Sequence, residues 1–159
     1  MLLVETTDAD FEAMLNGAAR LPSGLALPPG GVDERQVLQM LRHLSVRLRA
    51  DGARPIQMMI ADDEVVGTCG FKTAPPPSGE VEIGYGVAPT RRRLGHATRA
   101  VAEMVAQARG DVAMRIVTAE TAVDNVASQR VLAANGFERN GTRVDPHDGR
   151  LLRWRIGVA

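Results

Sequence analysis

Residues 80–100 read EVEIGYGVAPTRRRLGHATRA, and this stretch decides how the rest of the chain is interpreted. Its first part, through Ala88, has the apolar alternation of a β-strand. Pro89–Thr90 then opens a helix, because proline is favoured at the first helical position. Small and apolar residues repeat at helical spacing from Leu94, which predicts that this helix runs to about Ala108.

Three arginines, Arg91 to Arg93, crowd the first turn of this predicted helix. The helix dipole disfavours cations at that end, by about 0.3–1 kcal/mol each, unless an anion is present. Gly95 and Ala97 are small, so a ligand can approach backbone N–H groups that have no partner within the helix. The combination predicts a phosphate-binding helix start. The alternative is a solvated basic helix start in which the glycine has no special role.

The sequence on both sides of this stretch predicts the remaining elements. Before it come a strand at 2–6, a helix capped by Thr7 or Asp8, a helix from Asp33 to about Ala50, and strands at 55–61 and 65–73. After it come a strand at 114–120, a helix capped by Asp124 or Asn125, and strands at 136–142 and 151–158. A helix between the strand meander and the next strand indicates a crossover. We therefore expect an α/β (α+β) fold, with a mixed, mostly antiparallel central sheet flanked by helices.

Composition limits the class of protein. The chain has 159 residues, which predicts a single domain over 1–159. Charged residues make up 24% of the chain. Lysine and arginine together number 19, as do aspartate and glutamate, so the formal net charge is zero, which disfavours a globally basic nucleic-acid binder. The single cysteine excludes an intrachain disulfide and a cysteine-cluster metal site, and we expect no metal. No apolar run is long enough for a membrane helix, and the acidic N-terminus does not resemble a signal peptide, so we expect a cytoplasmic protein.

Other phosphate-binding motifs fit less well. The chain has no G-x-x-x-x-G-K-S/T, which disfavours a P-loop NTPase. Gly84 and Gly86 form G-x-G, but the third glycine of the dinucleotide fingerprint is missing. Among conspicuous single residues, Cys69 and Trp154 are predicted to be buried packing residues, and His96 is predicted to point outward.

Two further segments, EVEIGYGVAP and TAVDNVASQRVLAANGF, together with the arginine-rich loop, resemble the GNAT N-acetyltransferase superfamily. The nearest branch acetylates ribosomal-protein N-termini and related amines. The family pattern joins an E-I-G-Y strand to Q/R-x-x-G-x-G/A, then N-x-x-S-x-R-V-L and a G-F pair. Members often have glycine where this chain has Arg93. The residues that match the later elements are Arg92, Gly95, Ala97, Asn125, Ser128, Arg130, Val131, Leu132 and Gly136–Phe137.

The resemblance implies that the fourth and fifth strands splay apart and that the pantetheine arm of acetyl-CoA lies between them. It implies that backbone N–H groups from about Arg92 to Ala97 hold the pyrophosphate. The backbone near Gly86 and Val87 would pair with the pantetheine, and Asn125 would contact the arm. The full set of implied cofactor-binding residues is Gly86, Val87, Arg91, Arg92, Arg93, Leu94, Gly95, His96, Ala97, Asn125 and Ser128.

Three residues are candidates for the chemistry of direct acetyl transfer. Glu82, just before the proposed slot, is the first candidate base, acting through water; the alternative is a strand carboxylate paired with a neighbour. Glu120 is the reserve base. The resemblance implies that Ser128 lies near the thioester sulfur and donates to it; the alternative is a helix serine bonded to its own backbone. No tyrosine lies on the helix that begins at Asn125, so a general acid from that helix is not available.

We therefore expect an acetyl-CoA-dependent N-acetyltransferase acting on a primary amine, either a protein N-terminus or a small molecule. Two alternatives stay open: a GNAT-like acyl-CoA-binding module without turnover, and a nucleotide-phosphate-binding protein that uses the arginine cluster. The loops at 21–31 and 140–150 are expected to form the walls of the acceptor site. The sequence does not name the amine, and it leaves a homodimer as an open alternative.

Overall fold

The computed structural model describes all of residues 1–159. The order of elements is the one that the sequence predicts. Their bounds are β1 (Leu2–Glu5), α1 (Asp8–Leu15), α2 (Arg35–Ala50), β2 (Gln57–Ala61), β3 (Glu64–Phe71), β4 (Glu80–Val87), α3 (His96–Arg109), β5 (Ile116–Ala122), α4 (Val126–Ala134), β6 (Glu138–Asp145) and β7 (Gly149–Gly157).

The strands form one sheet in the order β1-β2-β3-β4-β5-β7-β6. Every neighbouring pair is antiparallel except β4 and β5, which α3 connects by a crossover. Buried clusters lie on both faces. The larger packs α3 and α4 against the central strands, and the smaller packs α1 and α2 against β2 and β3. The predicted fold class, a mixed and mostly antiparallel sheet flanked by helices, is confirmed.

The parallel pair β4–β5 is short, and this opens a gap in the sheet. Pairing covers only Glu80–Glu82 against Ile116–Thr118, although both strands continue beyond it. From Ile83 onward the two strands therefore have no partner on their facing edges. The predicted splay of the fourth and fifth strands is confirmed.

The start of α3 differs from the prediction. Pro89–Arg91 forms a single 3-10 turn, and the α-helix begins only at His96, with Gly95 as its N-cap. The reason is backbone conformation: Arg93 and Gly95 have φ angles of 64° and 76°, which cannot continue a right-handed helix. The three arginines therefore lie in the loop before the helix, and the dipole penalty inferred for its first turn does not apply to them.

The predicted N-caps of α1 and α4 are confirmed, whereas that of α2 is not. Thr7 caps α1, and Asn125 caps α4, accepting a hydrogen bond from the Ser128 N–H at 3.1 Å. The expectation that Asp33 caps α2 is wrong. The N-cap is Glu34, and the Asp33 side chain accepts only from the Glu34 N–H, at 2.7 Å. One oxygen of Asp33 is consequently left free.

Candidate active site

The exposed edge of β4 carries backbone groups into the gap. The Lys72 N–H donates to the Glu82 carbonyl at 2.8 Å, and the Ala88 N–H donates to that of Val66 at 2.9 Å. In an antiparallel pair the direction of these bonds alternates, so even-numbered residues of β4 face β3 and odd-numbered ones face the gap. Of the two residues predicted to pair with pantetheine, Gly86 is therefore bonded to β3, and Val87 points into the gap.

The loop before α3 forms a cradle of unpaired donors, which we define as the backbone N–H groups of Arg92 to Thr98. None of them donates a hydrogen bond within the protein, and the first bond of the helix runs from the Arg99 N–H to Gly95. A set of consecutive free N–H groups at a helix start is an anion-binding arrangement. The predicted position of the phosphate-binding turn therefore has the donors that such a site needs.

The arginines around the cradle have different partners. Arg91 makes two hydrogen bonds to the Glu64 carboxylate, which raise the pKa of its guanidinium, so it is held away from the cradle. Arg92 donates only a long bond of 3.3 Å to the Val87 carbonyl. Arg93 is exposed and has no ion-pair partner. Arg92 and Arg93 are thus the free cations beside the cradle, whereas Arg91, also predicted to bind the cofactor, is paired with Glu64.

Arg99 is a residue that the sequence analysis missed. Its guanidinium donates to the Leu94 carbonyl at 3.2 Å and lies 3.0 Å from the Nδ1 atom of His96. The signal in the sequence was its spacing of four residues after Gly95, which places it over the same turn. Arg99 therefore braces the cradle loop and adds positive charge behind it.

His96 is buried, so the prediction that it points outward is wrong. Its exposed fraction is 8%, and burial, followed by the charge of Arg99, lowers its pKa. The contact with Arg99 requires Nδ1 to accept, which places the ring proton on Nε2. What His96 offers the cradle is its backbone N–H. Cys69 and Trp154 are buried, as predicted, and burial raises the pKa of the Cys69 thiol to about 12.

The two candidate bases lie on one face of the sheet, and both are ion-paired. Glu82 pairs with Lys72 and keeps 32% of its side chain exposed. Glu120 is bound by two hydrogen bonds from Arg143, at 3.0 and 2.6 Å, and is 16% exposed. The bonds from Arg143 lower the pKa of Glu120, which makes its carboxylate a weaker base than an ordinary glutamate.

Tyr85 reaches across the gap to α4, a contact absent from the sequence prediction. Its hydroxyl lies 2.7 Å from the hydroxyl oxygen of Ser128. Burial raises the pKa of Tyr85, although the contact with Ser128 acts in the opposite direction, so the phenol keeps its proton at neutral pH. The predicted position of Ser128 therefore has a tyrosine hydroxyl beside it, supplied by β4 rather than by the helix that carries Ser128.

A cavity of about 380 Å³ lies beside the gap, between α2 and the face of the sheet that carries Glu82. Its lining comes from α2, β3 and β4, with Asp33 just before α2 and Ile56 just before β2, and neither loop expected to form the acceptor walls contributes to it. The chain contains no cluster of histidine, cysteine or carboxylate side chains able to hold a metal ion. None of its helices has the length and apolar character needed to cross a membrane.

Comparison with known sequences places these features in one family. A family model described as "Acetyltransferase (GNAT) domain" matches residues 1–138. An uncharacterized N-acetyltransferase, p20 of Bacillus licheniformis, is 28% identical over 120 residues, which cover 74% of this chain and 66% of p20. The aligned region thus spans slightly under two thirds of that relative's length.

Solved structures with low sequence identity to this chain have the same fold. RimL, a ribosomal L7/L12 alpha-N-protein acetyltransferase in complex with coenzyme A, superposes with a TM-score of 0.75 at 15% identity, covering 98% of this chain and 93% of RimL. The aminoglycoside acetyltransferase AAC(6')-Ib in complex with coenzyme A gives a TM-score of 0.71 at 18% identity, covering 98% of this chain and 93% of that one.

Proposed function

The chain belongs to the GNAT acetyltransferase family, and we propose that it transfers the acetyl group of acetyl-CoA to a primary amine. The observation that carries the proposal is the cradle of free N–H groups from Arg92 to Thr98, directly beyond the open edge of β4. Family membership and an anion site at this position both support a CoA-dependent reaction. They disfavour the alternative of a general nucleotide-phosphate-binding protein.

The cradle fits a diphosphate because its free donors lie at the start of α3, where the helix dipole favours negative charge. Arg92 and Arg93 are free to contact the remaining phosphate oxygens. Val87 offers backbone groups to the amides of the pantetheine arm, once Arg92 leaves its carbonyl. The Asn125 side-chain amide donates no bond in the protein, so it is available to the arm while the Asn125 oxygen caps α4.

Ser128 would act on the departing sulfur. Acetyl-CoA supplies an activated acyl group whose transfer leaves a thiolate, and a hydroxyl donor near the sulfur stabilises that charge. In this proposal the Tyr85 hydroxyl donates to the Ser128 hydroxyl oxygen, 2.7 Å away, which leaves the Ser128 proton for the sulfur. The pair supplies hydrogen bonding to the leaving group without a tyrosine on α4.

Glu82 is the base in this proposal, acting through a water molecule. The attacking amine must lose a proton, and Glu82 lies where the parallel pairing ends and the gap begins. Glu120 lies on the same face, but its carboxylate is bound on both oxygens by Arg143 and has a lowered pKa. We therefore assign proton acceptance to Glu82 and a structural ion pair to Glu120.

The names of two similar proteins indicate the general class of acceptor and do not identify the acceptor itself. The name of RimL gives a protein N-terminus as its substrate, and that of AAC(6')-Ib gives aminoglycosides. We propose a protein N-terminus or a small-molecule amine as the acceptor, without nucleic-acid or membrane partners.

The single unpaired cysteine fits a cytoplasmic, reducing environment. A second copy of the chain would pair most readily along β6, which is exposed from Glu138 to Val144.

The experiment is a panel of amines and N-terminal peptides incubated with acetyl-CoA, with free CoA measured by a thiol reagent. We expect turnover with at least one acceptor, and a fall in kcat of about 10²–10⁴-fold in Glu82→Gln, the usual range for loss of a general base. Glu120→Gln should keep most of its activity. Binding of acetyl-CoA without turnover on any amine would leave the alternative of a non-catalytic acyl-CoA-binding module. Inactivity of Glu120→Gln with an active Glu82→Gln would reverse the assignment.

A further inference from the structure

The cavity beside the gap has an apolar wall on α2 and several glycines on the side of the sheet. The face of α2 that carries Val37, Leu41 and Leu44 looks into it, and these three side chains are only half-buried because the cavity lies in front of them. Gly84 and Gly86 of β4 form part of its floor, beside Thr68 and Gly70 of β3. The groove therefore offers room and apolar contact to a ligand that reaches the open edge of β4.

A single free carboxylate stands at the gap end of this groove. A Cβ atom placed on Gly86 would lie 3.3 Å from the Asp33 Oδ2 atom, so this oxygen sits directly over the glycine. Oδ2 makes no hydrogen bond, and Asp33 makes no ion pair; only Oδ1 is engaged, by the Glu34 N–H. Gly86 follows Tyr85, the residue that holds Ser128. Asp33 and Ser128 thus lie against neighbouring residues of one strand, on its two faces.

The remaining charges in the groove are cationic. Lys72 lies against Gly84 and is neutralised by Glu82. Arg47 is exposed, has no ion-pair partner and stands near the end of α2, about 18 Å of helix beyond Arg35. A ligand that carries several ammonium groups would find one free carboxylate for them and would meet Arg47 with its others. A ligand with one ammonium group and an apolar body matches both the charges and the wall.

We propose that Asp33 binds the ammonium group of the acceptor and that the acceptor is a monoamine with an apolar body, rather than a polyamine or an aminoglycoside. This inference rests on the proposed acetyl transfer. The Asp33 carboxylate holds the amine nitrogen over Gly86 and beside the gap, and the apolar body lies along Val37, Leu41 and Leu44. Proton removal stays with Glu82, further along the same face of β4.

The test compares 2-phenylethylamine, a peptide with an apolar N-terminal residue, spermidine and kanamycin as acceptors for the full chain. We expect at least one of the first two to exceed both polycations in kcat/KM by about tenfold or more, since an unmatched ammonium group would lie against Arg47. In Asp33→Asn the KM for the better monoamine should rise by about 10- to 100-fold, the usual effect of losing a charged hydrogen-bond partner. The KM for acetyl-CoA should stay unchanged, and Asp33→Glu should restore part of the acceptor affinity.

Glu34→Gln is the matched control, because it removes the same charge from the adjacent residue, which is exposed and outside the groove. A higher kcat/KM for spermidine or kanamycin, or an unchanged acceptor KM in Asp33→Asn, overturns the inference. Equilibrium binding separates it from the proposed reaction. If no amine turns over, but the monoamine raises the melting temperature of the CoA-bound wild type and not of Asp33→Asn, the acceptor site stands and the reaction is wrong.

Discussion

Replacing Ala97 by proline would remove one backbone N–H donor from the cradle and leave its other donors in place. Ala97 is the second residue of α3, where the N–H has no partner in the helix and residue 93 is not helical. Proline at this position breaks no intrahelical bond and its ring meets no helical carbonyl, so the main cost is the restriction it places on the helical conformation of His96 before it. The substitution therefore tests a hydrogen-bond donor of the main chain, which side-chain variants leave untouched.

The expected magnitude follows from the charge of the ligand. A hydrogen bond to a charged group contributes about 1.5–3 kcal/mol, so losing one at about 2 kcal/mol weakens CoA binding about 30-fold. At a CoA concentration of 100 times the wild-type Kd, linkage stabilises the wild type by about 2.7 kcal/mol and the variant by about 0.9 kcal/mol. For a chain of 159 residues, about 3 °C per kcal/mol converts these values to shifts of about 8 °C and about 3 °C.

The assay is thermal unfolding of each protein with and without CoA. Gln36→Pro is the matched control, because Gln36 is exposed and occupies the same second position in α2, away from the cradle. The control should lose as much intrinsic stability as Ala97→Pro and should keep the full CoA-dependent shift. An Ala97→Pro protein that folds and retains the wild-type shift would refute the assignment of the cradle to the pyrophosphate.

Three other predictions follow from the site. Tyr85→Phe should lower kcat with little change in either KM, because it removes the partner that orients the Ser128 hydroxyl; steady-state kinetics beside Ser128→Ala measure this, and full activity of Tyr85→Phe would exclude that role. Arg92→Gln should weaken CoA binding in calorimetry, whereas Arg91→Gln should not, since Arg91 is held by Glu64; equal losses would contradict the separation. The bonds from Arg143 lower the pKa of Glu120, so their stabilisation is complete above the ordinary glutamate value of 4.5 and is lost as the pH falls through the folded-state pKa. In urea unfolding the wild type should therefore lose stability more steeply below about pH 4.5 than Glu120→Gln, and parallel curves would contradict the ion pair.

Most of the fold was predictable because its signals are local. Strand alternation, helical spacing and turn residues gave every element in order, and a single crossover gave the parallel pair. The start of α3 was not predictable in the same way, since Pro89 is an ordinary first helical residue. The extended conformation of Arg92 ends that turn and the left-handed conformation of Arg93 follows it, and an arginine carries no sequence signal for either.

The site residues that belong to local motifs were likewise predictable, and those that depend on long-range contacts were not. Glu82 and Ser128 belong to short motifs, so their positions could be named from the sequence. The ion pairs could not, because Arg91–Glu64 and Arg143–Glu120 join residues far apart in the chain, whose contact depends on register across the sheet. Asp33 was misassigned for a related reason. Aspartate before a helix is a common cap, and only the packing of α2 over Gly86 shows where its free oxygen lies.

The one large error in the helix prediction falls at the proposed ligand site, and the two facts have a common cause. A continuous helix from Pro89 would have bonded the N–H groups that the loop leaves free, and it would have removed the donors from the cradle. Keeping them free costs the protein unmade hydrogen bonds and a left-handed arginine, which amounts to about 1–3 kcal/mol for the backbone alone. Interactions with a phosphate group would offset both costs at once, because they supply acceptors for the N–H groups and counter-charge for Arg93. A local departure from helical rules is therefore what an anion site before α3 requires.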